Sequence, residues 1–316
     1  MSIDSIPVRV MAIEQVAPLI REFKLEAIEG RLPAFSPGSH VQVIMPGASR
    51  EIRNAYSLCG DPATPRRYSI AVRLQDASRG GSSFMHGQVN VGDQLAITPP
   101  ANLFAPVMAA RKHLLIAGGV GITPFMSYIP ELQRQGAKVE LHYLYRGGQT
   151  GAYLDQLQQQ LGSALHCYDS GQGNKCDLTA VLSGQGPGTH VYICGPESLI
   201  EGVRSTAAAL GWPDSLIHFE AFAAPEPGEP FKAQLTRSGK TLDVAADESL
   251  LEALEREGVK VPNLCRGGVC GQCRTAVLEG DVEHRDDFLS NDERSSGSCI
   301  MPCVSRAAGK HLTLDL

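Results

Sequence analysis

The residues best placed to do chemistry together are cysteines near the C-terminus. Cys265, Cys270 and Cys273 form a C-x4-C-x2-C run, with further cysteines downstream at Cys299 and Cys303. That spacing, completed by a distant fourth thiolate, is the ligand pattern of a plant-type [2Fe–2S] cluster. The reason is geometric. One short loop must wrap the cluster with three thiolates while its backbone N–H groups turn inward to the sulfurs. Gly267, Gly268 and Gly271 are interleaved with the ligands, and glycine adopts unusual φ values and close approaches at least cost. Zinc sites favour paired C-x2-C knuckles or histidine ligands, and the x4 gap with its glycines fits neither. Spacing alone leaves the fourth ligand open between Cys299 and Cys303.

The rest of the chain must position such a group. With 316 residues there is room for two or three domains, each with a core. A hydrophobic content of 43% and a charged content of 20% are ordinary for a soluble globular protein. A net charge of −6 argues against a nucleic-acid partner. No apolar run approaches the roughly twenty residues that span a bilayer, so no membrane association is expected. Residues 1–9 show neither the basic nor the apolar region of a secretory signal. Nine cysteines in a leaderless chain then point to a reducing compartment and to metal thiolates, which makes the cytoplasm the expected location.

The first hundred residues are β-rich. Short runs at 8–13, 20–25, 40–45, 68–72 and 94–98 are separated by Gly, Pro and Asp turns, which predicts a small closed antiparallel barrel. Two stretches inside it look chemical. One is Arg53, Asn54, Ala55, Tyr56, Ser57 and Leu58. The other is Ser78, Arg79, Gly80, Gly81, Ser82 and Ser83, where glycine N–H groups, hydroxyls and a following helix would suit a phosphate.

From about residue 113 strands and helices alternate: a strand at 113–117, a helix carrying Phe125, Met126, Ile129 and Leu132, then strands at 139–145, 165–168 and 190–194. Alternation of this length predicts a doubly wound parallel α/β sheet. Two strand-end turns, Gly118, Gly119, Gly121, Thr123, Pro124 and then Cys194, Gly195, Pro196, lie where such sheets bind ligands. The first turn is not G-x-G-x-x-G, so the spacing by itself does not establish dinucleotide binding. A proline-rich stretch at 223–230 is the clearest linker, and beyond it lie a hairpin around 237–239, a helix at 249–257 with Asp247 as a candidate cap, and strands at 274–278 and 311–316.

In this order the pieces resemble the phthalate dioxygenase reductase and vanillate demethylase reductase family, across essentially the whole chain. The likeness rests on Tyr56, Ser57 and Leu58, on 78–82, Asn102 to Phe104, 117–124, Cys194 to Pro196, Phe219 to Phe222, the cysteines, and His284, Arg285 and Asp286. Residues 54–58 and 110–113 are most similar to the carnitine monooxygenase reductase branch. The resemblance implies a multidomain chain: an antiparallel β-barrel FMN domain (1–107), an α/β doubly wound NAD domain (108–224), a linker (225–230) and an α+β β-grasp ferredoxin domain (231–316). It implies Cys303 as the fourth ligand, because Cys303, Val304, Ser305 and Arg306 match the family's C-x-S-R run, with Cys299 left as a small core residue.

The same resemblance implies a role for each stretch. Tyr56, Ser57 and Leu58 would line the flavin, with Ser57 as a donor near its reactive edge. Residues 78–82 would hold the phosphate, and Gly118 to Pro124 the pyrophosphate, with Thr123 as a hydroxyl donor. Cys194 would sit beside the site of hydride transfer and Phe222 would stack on the flavin. Most relatives carry Arg where this chain has Asn54, so Arg53 or Arg79 is expected to take over that charge. Arg274, Glu283, Asp286 and Asp287 would surround the cluster's exposed face. NADH gives two electrons as a hydride and a [2Fe–2S] cluster takes one, so a flavin must stand between them. The function implied is an NADH-dependent reductase that feeds a Rieske-type terminal oxygenase, as a monomer. NADH is preferred over NADPH because Arg146 stands alone after the strand at 139–145. The rivals are an iron–sulfur redox sensor and an electron carrier, neither of which would consume NADH.

Overall fold

The computed structural model describes residues 5–47, 51–63, 66–76, 78–222 and 226–316, so Ala223, Ala224 and Pro225 of the expected linker lie outside the described residues. The chain divides into two compact units, one within Ile3–Phe222 and one within Ala223–Leu316.

The first unit opens with β1 (Ile6–Ala17), β2 (Ile20–Ala27), β3 (Ser39–Met45), β4 (Ile52–Cys59) and β5 (Tyr68–Arg73), followed by α1 (Gly81–Gly87), β6 (Gln94–Ile97) and the short β7 (Ala101–Asn102). The strands pair antiparallel in the order β4-β5-β2-β1-β6-β3, and β3 then pairs with β4 to close a barrel. Closure leaves these six strands no open edge. Side chains such as Val8, Val10, Phe23, Leu25, Val41, Val43, Leu58 and Ile70 fill the interior. Sequence pattern missed β4 as a strand because Arg53, Asn54 and Ala55 blur its alternation; only Ser57, Leu58 and Cys59 in it are buried.

The unit continues with β8 (Lys112–Gly118), α2 (Phe125–Arg134), β9 (Lys138–Tyr145), α3 (Leu154–Leu161), β10 (Leu165–Asp169), α4 (Leu178–Ser183), β11 (Thr189–Gly195), α5 (Glu197–Ala209) and β12 (Ile217–Ala221). The sheet is wholly parallel, in the order β10-β9-β8-β11-β12. The strand order reverses between β8 and β11, so Gly118 and Gly195 end their strands side by side at the switch point, where doubly wound sheets bind ligands. Barrel and sheet do not keep separate cores. Ala17, Ile20, Cys59, Ala71 and Phe104 pack with Phe125, Tyr128, Tyr192 and Cys194 in one cluster. Polar bonds cross the same seam: Gly38 N–H donates to Ser127 Oγ at 3.0 Å, and Val107 N–H to Tyr192 Oη at 2.7 Å.

The second unit contains β13 (Phe231–Leu235), β14 (Thr241–Val244), α6 (Leu250–Arg256), β15 (Thr275–Glu279), β16 (Val282–Glu283), α7 (Asn291–Ser296), β17 (Cys299–Ile300), β18 (Arg306–Ala307) and β19 (His311–Leu314). Its sheet runs β14-β13-β19-β15-β17, with β13 and β19 parallel inside an otherwise antiparallel set, a β-grasp arrangement closed over by Leu250, Leu251 and Leu254 of α6. Ser249, not Asp247, caps α6: its hydroxyl accepts from Glu252 N–H at 3.2 Å, and the Glu252 carboxylate accepts from Ser249 N–H at 2.8 Å. The described end of the linker is not a free tether. Arg306 is 2% exposed, and a buried guanidinium needs acceptors. It donates to Glu229 O, Ala245 O and Glu248 O, while Gly228 N–H donates to Ala246 O at 2.9 Å.

Candidate functional site

In the second unit the sulfurs of Cys265, Cys270, Cys273 and Cys303 converge. Cys273 Sγ and Cys303 Sγ are 3.3 Å apart, Cys265 and Cys270 share a hydrogen bond, and charge at Cys265 acts on both Cys273 and Cys303. In each pair one thiol yields its proton more readily. The hydrogen bond from Cys265 lowers Cys270 to about 6 and raises Cys265, and the bond between Cys303 and Cys273 likewise lowers Cys273 and raises Cys303. Four sulfurs that already compete for protons form a donor set matched to soft iron, which takes them as thiolates.

The loop holding them is strained where it must be. Arg266, Gly268 and Gly271 have φ of 54°, 77° and 70°. Arg266 offsets its cost by a two-pronged bond to Glu255 of α6, at 2.7 and 2.8 Å. Asp286 braces the other side: it accepts from Leu289 N–H and Ser305 Oγ, and Asp287 N–H donates to Gly268 O. Asp286 is therefore a buried structural group, 3% exposed, and not part of an outer charged face. Sequence reasoning missed Phe288, which is 45% exposed and whose ring lies so near Gly271 that a Cβ there would meet it at 2.3 Å. Cys299 is placed elsewhere, opposite Ala276 in the β15–β17 ladder.

In the barrel, β4 and the start of α1 meet. A Cβ on Gly81 would lie 2.2 Å from Asn54 Nδ2, so the Asn54 amide occupies the helix start. Asn54 also donates to Tyr56 Oη at 3.3 Å, and burial pushes the Tyr56 phenol up to about 12. Ser57 is 3% exposed, and its hydroxyl has no partner among the described residues. An orphaned buried hydroxyl on this strand fits a flavin, whose ring edge supplies hydrogen-bonding atoms. Arg53 pairs with Glu51 at 2.7 Å. The serine hydroxyls of that loop bond one another. Ser78 Oγ accepts from Gly80 N–H, Ser83 N–H and Ser82 Oγ. An anion would thus meet the first N–H groups of α1, those of Gly81 and Ser82, with half-buried Arg79 close by in sequence.

At the switch point the glycines are taken up by chain-to-chain approach. A Cβ on Gly118 would fall 2.6 Å from Pro196 Cδ, one on Gly121 2.1 Å from Cys194 O, and one on Gly195 3.0 Å from Gly118 N. Gly119 turns with φ 55° and Pro124 leads α2. Two side chains of these turns are drawn inward. Thr123 is 2% exposed and its hydroxyl donates to Val120 O at 3.0 Å, closing the turn, so it is not an outward donor. Cys194 is fully buried in the shared core, where burial and then Glu220 hold its thiol well above its ordinary pKa. Phe222, by contrast, is 39% exposed and is no core residue. Asp169, which sequence pattern did not single out, ends β10 with its carboxylate accepting from Gly147 N–H at 2.6 Å and Gly171 N–H at 2.9 Å.

Known proteins share this arrangement. Residues 233–308 match the 2Fe-2S iron-sulfur cluster binding domain, and residues 95–217 match the N-terminal domain of dimethylamine monooxygenase subunit DmmA-like proteins. The solved structure of phthalate dioxygenase reductase superposes with a TM-score of 0.86 and 34% identity, covering 99% of this chain and 98% of its own. The chain belongs to the phthalate dioxygenase reductase family. Within it, the carnitine monooxygenase reductase subunit of Escherichia coli is 46% identical, and the heme-dependent oxidative N-demethylase beta subunit of Ectopseudomonas mendocina 58% identical, each over 98% of both chains. Membership makes the chain an oxidoreductase with flavin, NAD and [2Fe–2S] cofactors, the reductase component of an oxygenase system. No helix among the described residues is long and apolar enough to cross a membrane.

Proposed function

We propose that this chain oxidises NADH, carries the electrons through FMN to a [2Fe–2S] cluster on Cys265, Cys270, Cys273 and Cys303, and delivers them singly to a terminal oxygenase. The observation that carries the reading is the convergence of those four sulfurs in the same chain as an orphaned Ser57 hydroxyl on the barrel. A bound flavin supplies the step from paired to single electrons. Ser57 would orient its ring edge, the exposed Phe222 ring would cover its face, and Gly81, Ser82 and Arg79 would meet the phosphate. FMN rather than FAD is supported by the short path from α1 to β6 through residues 88–93, which leaves no extra element for an adenine to stack on. NADH rather than NADPH is supported by Asp169, whose charge at the end of β10 would repel a 2′-phosphate.

The acceptor is proposed to be a Rieske-type oxygenase, as the family resemblance implies. The 58% identity to a heme-dependent N-demethylase subunit favours a second reading, a haem-containing oxygenase acting on an N-methyl amine. The visible spectrum of the oxygenase that accepts electrons from this chain separates the two. Location in the cytoplasm and a monomeric state complete the proposal, the latter checked by light scattering.

The test of the electron path uses Cys303→Ser in the full chain. Ferricyanide accepts electrons from the flavin directly, so its NADH-dependent reduction is expected to persist. Cytochrome c reduction, which runs through the cluster, is expected to fall sharply. An unchanged ratio of the two rates would remove the cluster from the path.

A further inference from the structure

Strands β9 and β10 carry a group of donors that the electron path does not use. Glu140 and His142 lie two residues apart and so share one face of the sheet, opposite to Leu141 and Tyr143 in the shared core. His166 stands beside His142 in the parallel register, with the two imidazoles stacked at 4.6 Å. One ligand atom from each of Glu140, His142 and His166 falls within 4.8 Å of the others. Glu140 Oε1 is 2.7 Å from His142 Nε2 and 3.9 Å from His166 Nε2. Those values bracket the separation of about 3.4 Å between ligand atoms held at about 2.0–2.2 Å around a tetrahedral zinc.

The surrounding contacts are those that orient metal ligands. Tyr168 Oη is 2.9 Å from His142 Nδ1, which leaves Nε2 facing the carboxylate. Lys112 Nζ donates to Glu140 Oε2 at 2.6 Å and to Gln185 Oε1 at 2.8 Å, so the carboxylate is held by one oxygen and offers the other. His142 is 4% exposed, so packing fixes its ring between Glu140 and Tyr168. The His166 side chain is 43% exposed and opens the group to solvent. Two imidazoles and one carboxylate suit a borderline ion better than Mg²⁺ or Ca²⁺, which prefer oxygen throughout.

We propose that Glu140 Oε1, His142 Nε2 and His166 Nε2 bind a divalent transition-metal ion of the zinc class, with solvent in the remaining position. His142 keeps one ring proton, which moves from Nε2 to Nδ1 and is donated to Tyr168 Oη. The site lies three residues before the end of β9, about 10 Å along the strand from the ligand crevice. Its ion would therefore tie the edge strand β10 to β9 without entering hydride transfer.

The test takes untagged protein carrying flavin and cluster, dialyses it against Zn²⁺, and counts zinc and iron together, the iron fixing the number of chains and the state of the cysteine site. One zinc for every cluster is expected, with a raised melting temperature. His166→Gln, at an exposed side chain, is expected to weaken zinc binding at least about tenfold, and Tyr168→Phe about tenfold, as loss of an orienting partner does. Both variants are expected to keep the NADH–ferricyanide rate of the natural chain. Failure of the natural chain to take up one zinc, or equally tight binding by His166→Gln, would overturn the site.

Discussion

Two glycine-rich turns in this protein look alike in sequence and are put to different uses. In the loop 265–273, Gly268 and Gly271 adopt positive φ so that four thiols face one another across a small space. In the turn 118–124, Gly118 and Gly121 leave room for neighbours: the Pro196 ring and the carbonyl of Cys194 press where their side chains would be. A glycine marks a close approach and does not say what approaches. The cysteines do, because thiolates at x4 and x2 spacing, completed by a distant fourth, are the ligand pattern of a [2Fe–2S] cluster. The dinucleotide reading of 118–124 therefore rests on its place at the switch point and on kinship, not on its glycines.

The comparison is tested most severely at the cluster. Cys303→Ser is expected to abolish the iron–sulfur absorption while leaving flavin bound, since the flavin residues belong to the other unit. Cys299→Ser, at a ladder position opposite Ala276, is expected to keep the full iron content. Iron and flavin counted per chain would reverse the ligand assignment if the two variants exchanged behaviour. A smaller effect is expected at the other turn. Gly121→Ala places a methyl 2.1 Å from Cys194 O and should destabilise the first unit by about 1–3 kcal/mol or more. Gly119→Ala would make ordinary contact with Thr150 at 3.6 Å and is penalised only for its positive φ, by about 1–2 kcal/mol. Thermal unfolding of the pair gives the order; equal losses would mean that the turn is shaped by its own backbone and not by Cys194.

The phosphate turn is a third case, in which charge and not packing should dominate. Arg79→Ala is expected to weaken flavin retention about ten- to hundredfold, because a hydrogen bond from a charged donor contributes about 1.5–3 kcal/mol. Arg53→Ala, which removes only a surface partner of Glu51, is expected to leave retention unchanged. Equilibrium dialysis of released flavin separates the two arginines.

Much of this was legible before the fold was known. Five of the six strands that close the barrel, the parallel alternation and three of the thiolates, Cys265, Cys270 and Cys273, follow from period, turn residues and cysteine spacing, because each is written in local pattern; β4 and the choice of Cys303 do not. What was not legible depends on where a side chain points. Thr123 reads as an exposed donor until its hydroxyl is seen closing the turn on Val120 O. Asp286 reads as surface charge until Leu289 and Ser305 are found bonded to it. Asp247 loses the cap of α6 to Ser249 because a Glu three residues on completes a capping box only with the serine. Phe288 carries no motif at all; its position over Gly271 is a tertiary fact.

The two units also differ in what acid should do to them. His86, His113, His142, His190 and His218 all lie in Ile3–Phe222, and burial lowers the pKa of each below the ordinary imidazole value. His190 Nδ1 and His218 Nε2 are 2.9 Å apart, so both rings cannot be charged in place. The sign follows from proton counts. Above about pH 6.5 these rings are neutral in both folded and unfolded chains and add no pH dependence. Between there and about pH 5, before most carboxylates titrate, the unfolded chain takes up protons that the folded one refuses, so stability falls as pH falls. The melting of the first unit, followed by flavin fluorescence, is expected to drop across that window, and His218→Gln should flatten part of the drop. A melting temperature independent of pH there would mean that these histidines accept protons without unfolding, and that their burial does not set the unit's acid limit.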